Sequence, residues 1–232
     1  MAVDLLVFGP HPDDLEIGLG GSIARQAAHG LRVGLCDLTA GELGSNGTPA
    51  ERRAEAEAAR LALGAAWREN LRWPDRRIGK EPGQLDEAVA FIRRHRPRTV
   101  AVPYWSDRHP DHVAASEILT EAVFNAGLRR YRAEGDAWTP DWICYYFING
   151  AAVPSFVVDV SDYYERKRAA LDCHASQFKR AEADAATRLN TPLFRQLIES
   201  RDAQFGALAG VPWAEGIVVR EPVVRTSLLR QD

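Results

Sequence analysis

The sequence predicts an α/β fold of three layers, with a mostly parallel sheet, helices on both faces and a less regular C-terminal part. Its first half alternates short apolar segments with longer helical ones, a pattern that is typical of parallel sheets. The chain has 232 residues, of which 46% are hydrophobic. It shows no internal repeat and no linker-like tract, so we predict a single domain over residues 1–232.

Four apolar segments in the first half have the length and composition of buried strands. Turn-forming residues end them: Gly9 and Pro10 follow the first segment, and Pro103 follows the fourth. The predicted strands cover residues 3–8, 31–38, 68–73 and 99–102.

A helical segment follows each of these strands. The second helix has the clearest boundaries, because Thr48 can cap it, Pro49 suits its first position and Glu51 completes a capping box. Gly64 ends the same helix. The predicted helices cover residues 18–30, 49–63, 84–95 and 110–126.

The second half of the chain is less regular. Its strand-like segments are 142–148, 155–160 and 216–220, and its helix-like segments are 162–175 and 192–209. We expect these segments to complete one Rossmann-like domain rather than to form a second one.

Charge, apolar runs and cysteine usage exclude several classes of protein. The 29 Lys and Arg residues and the 32 Asp and Glu residues leave a net charge of −3, which argues against a nucleic-acid partner. No segment approaches the ~18 apolar residues of a membrane span, and the N-terminus lacks the basic region of a signal peptide. The cysteines Cys36, Cys144 and Cys173 form no disulfide framework. We therefore expect a cytoplasmic protein with no membrane partner.

Two clusters of His and Asp lie where sheets of this kind bind ligands. With the common strand order 3-2-1-4, the loops after the first and fourth strands meet where the strand order reverses. About a hundred residues separate the clusters in the sequence, yet the predicted topology brings them together. They consist of His11, Asp13 and Asp14 after the first strand and His109, Asp111 and His112 after the fourth.

The combined clusters offer ligands for a catalytic metal ion. His11 and Asp14 are close enough on a turn to chelate one ion, and His112 could complete a His-Asp-His set. Such a set suits Zn²⁺, with Fe²⁺ as an alternative. A metal ion in an open site of this kind lowers the pKa of bound water to about 7.

Ionisable groups beside these ligands could move protons. Asp13 could accept a proton from water, and His109, as an imidazolium, could stabilise an oxyanion or protonate a leaving amine. Asp111 could hold a histidine in the correct tautomer. The structural alternatives are that His-Pro-Asp forms an ordinary turn and that Asp13 and Asp14 cap the next helix.

The segments His11-Pro12-Asp13-Asp14 and His109-Pro110-Asp111-His112 resemble the LmbE/PIG-L family of zinc-dependent N-acetylglucosaminyl deacetylases. The resemblance covers nearly the whole chain. It is strongest to the deacetylases of bacillithiol biosynthesis, which hydrolyse N-acetylglucosaminyl-malate. Other matching segments are Cys36-Asp37-Leu38-Thr39, Ser45-Asn46-Gly47-Thr48, Pro74-Asp75-Arg76 and Ile148-Asn149-Gly150. The resemblance implies a hydrolase that removes the acetyl group from a small N-acetylated sugar conjugate, and a homo-oligomer such as a hexamer.

The same resemblance implies a catalytic role for each residue of the two clusters. The expected zinc ligands are His11, Asp14 and His112. Asp13 is expected to be the general base. His109 is expected to stabilise the oxyanion, with Asp111 supporting it.

Further residues are expected to contact the substrate. They are Arg52, Asp75, Arg108, Glu16, Ser45 and Asn46. Arg108 is the first candidate for the partner of the malate carboxylates, with Lys179 or Arg180 as the weaker alternative. For Arg52 an ordinary helix-surface charge is an equal alternative. The role of Glu16 stays open, because Leu15 separates it from the Asp pair, whereas in much of the wider family a Glu follows that pair directly.

Two other functions stay open at this point. The first keeps the chemistry and changes the substrate to free N-acetylglucosamine, a chitooligosaccharide or the amide of a thiol conjugate. The second is a zinc-binding regulatory protein without turnover. Asp13, His109 and the open ligand set argue for the enzyme.

Overall fold

We describe the fold from a computed structural model, in which residues 2–179, 181–224 and 226 are described. The strands are β1 (Leu5–Gly9), β2 (Val33–Thr39), β3 (Trp67–Trp73), β4 (Thr99–Pro103), β5 (Trp142–Tyr146), β6 (Phe156–Asp159) and β7 (Ala214–Val218). The helices are α1 (Asp14–Ala28), α2 (Pro49–Leu63), α3 (Gln84–His95), α4 (Pro110–Ala126), α5 (Tyr164–Cys173), α6 (Ala175–Phe178) and α7 (Pro192–Ala209). Residues 1, 180, 225 and 227–232 of the predicted domain 1–232 lie outside the described residues.

Within the described part of the chain, the strands form a seven-stranded sheet in the order β3-β2-β1-β4-β5-β7-β6. The neighbours from β3 to β5 pair in parallel. Strand β7 pairs antiparallel with β5 and with β6. The predicted mostly parallel sheet and the 3-2-1-4 order of its first four strands are confirmed.

Helices cover both faces of this sheet, because its central strands carry apolar side chains on both sides. Along β1, Leu6 and Phe8 belong to one apolar cluster and Val7 belongs to the other. The first cluster includes Leu6, Phe8, Val89 of α3 and Leu119 of α4. The second includes Val7, Ile23 of α1, Leu63 of α2 and Leu171 of α5. The three predicted layers are thus present.

Helices with strong end signals begin and end where the sequence predicts. In α2, the Thr48 hydroxyl accepts a hydrogen bond from the Glu51 N–H at 3.2 Å, and the Glu51 carboxylate accepts one from the Thr48 N–H at 2.7 Å. Gly64 ends the helix at φ 77°, a left-handed conformation that glycine adopts without steric cost. No helix among the described residues is long and apolar enough to span a membrane.

Helix α1 begins at Asp14, four residues before the predicted start, and that boundary was wrong. The Ile17 N–H donates to the Asp13 carbonyl at 3.0 Å, so the helix starts directly from the His-Pro-Asp turn. The glycines near Gly18 obscure this start in the sequence. The early start places Asp13 and Asp14 at a helix N-terminus, where the helix dipole favours a negative charge.

Candidate metal centre and active site

The candidate site lies at the carboxyl ends of β1 and β4. These strands are parallel neighbours, with Val7 beside Ala101, so the segments that follow them leave the sheet at the same edge. A cavity of about 260 Å³ opens between the two segments. Its lining includes His11, Asp13, Asp14, Arg108, His109 and His112. The structure therefore brings the two His/Asp clusters together.

One carboxylate oxygen lies beside a nitrogen atom from each of two histidines. Oδ2 of Asp14 is 3.1 Å from Nδ1 of His11 and 3.4 Å from Nε2 of His112. All three residues are buried. The three predicted ligands therefore lie together, with the Asp14 carboxylate in contact with both imidazoles.

The opposite nitrogen of each ring faces further carboxylates. Nε2 of His11 lies 3.4 Å from Asp111 and 3.4 Å from Asp75. Nδ1 of His112 lies 3.2 Å from Asp107. A carboxylate behind a ligating imidazole fixes its tautomer and raises its basicity. This arrangement directs the inner nitrogen of each ring toward Asp14.

The donor set fits a divalent metal ion. Imidazole nitrogens and a carboxylate oxygen are the usual protein ligands of a catalytic zinc site. Burial alone would lower the pKa of His112, yet Asp14 and Asp107 raise it to about 9. The surroundings therefore stabilise positive charge at these nitrogens. His11, Asp14 and His112 would hold such an ion.

His109 is oriented by its position at the start of α4. Its Nδ1 accepts a hydrogen bond from the Asp111 N–H at 3.2 Å, so in the neutral ring Nε2 carries the hydrogen. Burial lowers the pKa of His109, and His112 and His11 lower it further, which favours the neutral ring over the expected imidazolium. One ring nitrogen from each of His11, His109 and His112 lies within 4.8 Å of the other two, so the His109 ring stands beside the expected ligands.

The expected support of His109 by Asp111 needs a correction. The Asp111 carboxylate contacts Nε2 of His11, and its other partners are the backbone N–H and the guanidinium of Arg76, at 3.0 and 3.2 Å. The backbone N–H of Asp111 bonds to the His109 ring. Among the hydrogen bonds of the described residues, none joins the Asp111 carboxylate to that ring. The reason is that Asp111 lies in the first turn of α4, where its side chain points toward the loop after β1.

Asp13 combines a strained backbone with a buried carboxylate. Its φ of 147° lies in a region that non-glycine residues rarely adopt, as is common at functional sites. The Arg52 guanidinium lies 3.3 Å from the carboxylate and also donates to the Pro12 and Gly41 carbonyls. Burial raises the pKa of Asp13 to about 6, although Arg52 opposes the shift. Asp13 lines the cavity next to Asp14, as a general base requires.

Four of the six residues expected to contact substrate line the cavity: Arg52, Asp75, Arg108 and Ser45. Arg52 is only 4% exposed, so it is not an ordinary surface charge. Its guanidinium instead joins α2 to the loop after β1.

The other two, Glu16 and Asn46, do not line the cavity, and their expected contact with substrate is corrected. Glu16 is fully buried behind the site, where it accepts a hydrogen bond from Arg68 at 2.6 Å and lies 3.2 Å from His174. The Asn46 amide pairs with the backbone of Ala185, donating and accepting at 2.9 Å. Both residues therefore hold neighbouring segments in place.

Sequence reasoning missed the part of Asp107 in this site. Its carboxylate contacts His112 and accepts hydrogen bonds from the Asn149 backbone N–H at 3.1 Å and from the Asn149 amide at 3.0 Å. Asn149 lies just beyond β5, and its amide nitrogen is 3.4 Å from His112 Nδ1. The five-residue spacing between Asp107 and His112 was a usable signal, whereas the role of Asn149 depends on strand β5 lying beside β4.

Comparison with known proteins agrees with this geometry. The chain is 29% identical over 228 residues to a diacetylchitobiose deacetylase of Thermococcus kodakarensis, covering 92% of this chain and 81% of the relative. It is 30% identical over 198 residues to a 1D-myo-inositol 2-acetamido-2-deoxy-alpha-D-glucopyranoside deacetylase of Rhodococcus erythropolis, covering 71% of this chain and 67% of that protein.

Among solved structures, the conserved protein TT1542 of Thermus thermophilus matches with a TM-score of 0.89 at 38% identity. The match covers 99% of this chain and 100% of the solved one. A family model described as "PIG-L: GlcNAc-PI de-N-acetylase" matches residues 6–123, which include every residue of the two His/Asp clusters. The chain belongs to the PIG-L family of de-N-acetylases.

Proposed function

We propose that this protein is a zinc-dependent deacetylase that removes the N-acetyl group from an N-acetylglucosaminyl conjugate. The observation that carries this proposal is the convergence of His11 Nδ1 and His112 Nε2 on the Asp14 carboxylate. The Asp13 carboxylate lies in the same cavity, so the expected metal ligands and the expected general base share one space. Membership of a family of de-N-acetylases supports the amide as the bond that is broken.

A zinc ion held by His11, Asp14 and His112 would polarise the acetyl carbonyl as a Lewis acid. Asp13 accepts a proton from the water that attacks the carbonyl carbon. The Nε2–H of His109 donates a hydrogen bond to the developing oxyanion, which a preorganised neutral donor can stabilise. The C–N bond then breaks, and the proton held by Asp13 passes to the amine, so the products are acetate and the free amino sugar.

The finer proposal is that the conjugate is N-acetylglucosaminyl-malate, as in bacillithiol biosynthesis. Its support is the charge at the cavity rim, where Arg108 and Arg76 are both exposed. A dicarboxylate needs such cationic partners, and an arginine can bind a carboxylate with two parallel hydrogen bonds. The named relatives act on sugars with other groups attached, so the choice of malate rests on these arginines and on the sequence resemblance.

The experiment is an amine-release assay over N-acetylglucosamine, diacetylchitobiose, an N-acetylglucosaminyl-inositol and N-acetylglucosaminyl-malate. Each is run with the zinc-loaded enzyme and after treatment with a chelator. The proposal predicts turnover that the chelator abolishes and zinc restores, with the highest kcat/KM on the malate conjugate. Turnover highest on diacetylchitobiose would favour the chitooligosaccharide alternative. Tight zinc binding without amine release from any of the four would favour a non-catalytic protein.

A further inference from the structure

Helix α1 is broken one turn after the residues that enter the site. Leu19 has φ −133° and ψ 16°, which is not helical. The break lies in a glycine-rich stretch that packs very closely: a Cβ on Gly18 would lie 2.2 Å from the Tyr146 ring. The first segment of α1 is therefore set against the end of β5, at an angle that the rest of the helix does not share.

Two buried charged side chains satisfy the backbone groups at this break. In an unbroken helix the Gly21 N–H would donate to the Ile17 carbonyl. Here Arg201 of α7 donates to that carbonyl at 2.7 Å, and the Glu215 carboxylate of β7 accepts from the Gly21 N–H at 2.9 Å. Glu215 also accepts from the Ser22 N–H at 2.7 Å, so it caps the second segment of α1.

The two side chains belong to one buried chain of alternating charges. Arg201 donates to Asp202 at 3.0 Å, and Lys167 of α5 lies 2.6 Å from both Asp202 and Glu215. Arg201 is 7% exposed and the other three are at most 1% exposed. Each charge thus has an opposite partner, as buried charges need.

Arg201 also reaches the opposite wall of the site. Its guanidinium donates to the Phe147 and Ile148 carbonyls at 3.1 and 2.9 Å. The next residue, Asn149, bonds to Asp107 and lies beside Nδ1 of His112. One guanidinium therefore holds the α1 segment that begins with Asp14 and the turn that supports His112.

We propose that Arg201, which does not line the cavity, is a positioning residue for the metal centre. It keeps Asp14 and His112 at a fixed separation by tying the Ile17 carbonyl to the 147–148 turn. A lysine at this position would keep the charge beside Asp202 but could not reach three carbonyls from one planar group. This inference rests on the proposed metal site, because it assigns Arg201 to the residues that would hold the ion.

The test compares Arg201→Lys with Tyr164→Phe as a matched control. The Tyr164 hydroxyl donates to Asp202 at 3.1 Å within the same buried network. Within the described part of the chain, this hydroxyl forms no hydrogen bond to a residue of the site. Zinc affinity is measured by competition with a coloured chelator, thermal melting is measured on the metal-free protein, and kcat and KM are measured at saturating zinc. Arg201→Lys is expected to weaken zinc binding about tenfold, the range seen when a partner of a metal ligand is lost. It should lower kcat while KM stays within about twofold. Tyr164→Phe should lower Tm alone.

A second variant tests the same set of contacts near His112 without altering the core. Asn149→Ala removes the amide hydrogen bond to Asp107 and should weaken zinc binding by itself. Adding Arg201→Lys to Asn149→Ala should reduce zinc affinity less than Arg201→Lys does in the wild type, because the effects of coupled residues are not additive. Wild-type zinc affinity in Arg201→Lys or in Asn149→Ala would overturn the inference. So would equal losses of zinc affinity in Arg201→Lys and Tyr164→Phe. Failure of the wild-type protein to bind zinc would overturn the metal site itself, and the inference with it.

Discussion

The carboxylate of Asp111 lies 3.4 Å from Nε2 of His11, on the far side of the imidazole from Asp14. This contact decides which ring nitrogen of His11 faces the cavity. Asp107 does the same for His112, with the opposite nitrogen. The two carboxylates explain how histidines from segments about a hundred residues apart each present a ring nitrogen to the Asp14 carboxylate.

Replacing Asp13 with asparagine should abolish proton transfer and leave the metal site intact. The amide keeps the volume of the side chain and can still accept a hydrogen bond from Arg52, but it cannot take a proton from water. We expect kcat to fall by about 10²–10⁴-fold, the usual contribution of a general base. Zinc content, measured by atomic emission, should equal that of the wild type. Wild-type turnover in Asp13→Asn would show that the base has been assigned to the wrong residue.

The variant His109→Ala tests whether His109 is an oxyanion donor or a metal ligand. Loss of one such donor commonly costs about 10²–10³-fold in kcat. We expect that loss with unchanged zinc affinity, whereas His112→Ala should lose the metal. A nitrogen of His109 lies within 4.8 Å of nitrogens of both His11 and His112. The alternative assignment is therefore that His109 is itself a metal ligand. If His109→Ala lost as much zinc as His112→Ala, the result would support His109 as a metal ligand.

Arg108→Ala tests the malate part of the substrate. The variant should raise KM for N-acetylglucosaminyl-malate about tenfold and leave KM for N-acetylglucosamine unchanged, because the latter carries no carboxylate. Arg129→Ala is the matched control, since Arg129 is also exposed but follows the C-terminal end of α4, at the opposite edge of the sheet. Equal KM changes on both substrates, or none on either, would remove Arg108 as the malate partner.

Glu16→Ala should affect stability rather than substrate binding. Glu16 is fully buried and pairs with Arg68, so its loss leaves a buried charge with one partner fewer. Removing one member of a buried pair costs about 3 kcal/mol or more. In a chain of this size that corresponds to a drop in Tm of roughly 6–12 °C. Glu57→Ala, which breaks a surface pair with Arg60, should change Tm little. A raised KM together with a wild-type Tm in Glu16→Ala would instead support the expected contact between Glu16 and the substrate.

The residues that the sequence located well are those whose signals are local. Thr48 and Glu51 define the start of α2 by their own hydrogen bonds, and the His/Asp clusters follow strands whose order was predicted. Asn46 and Arg201 act on backbone groups of distant segments, namely Ala185 and the 147–148 turn. Their roles depend on tertiary packing, so no spacing in the sequence reveals them.

The most direct test of the metal centre is a crystal structure of the zinc-loaded protein with anomalous diffraction recorded at the zinc edge. We expect one strong peak, with His11 Nδ1, the Asp14 carboxylate and His112 Nε2 as its protein ligands. Asp111 and Asp107 should remain on the outer nitrogens, and His109 should stay outside the coordination sphere. A peak ligated by His109 in place of Asp14, or by His11 Nε2 together with Asp75 and Asp111, would contradict this assignment.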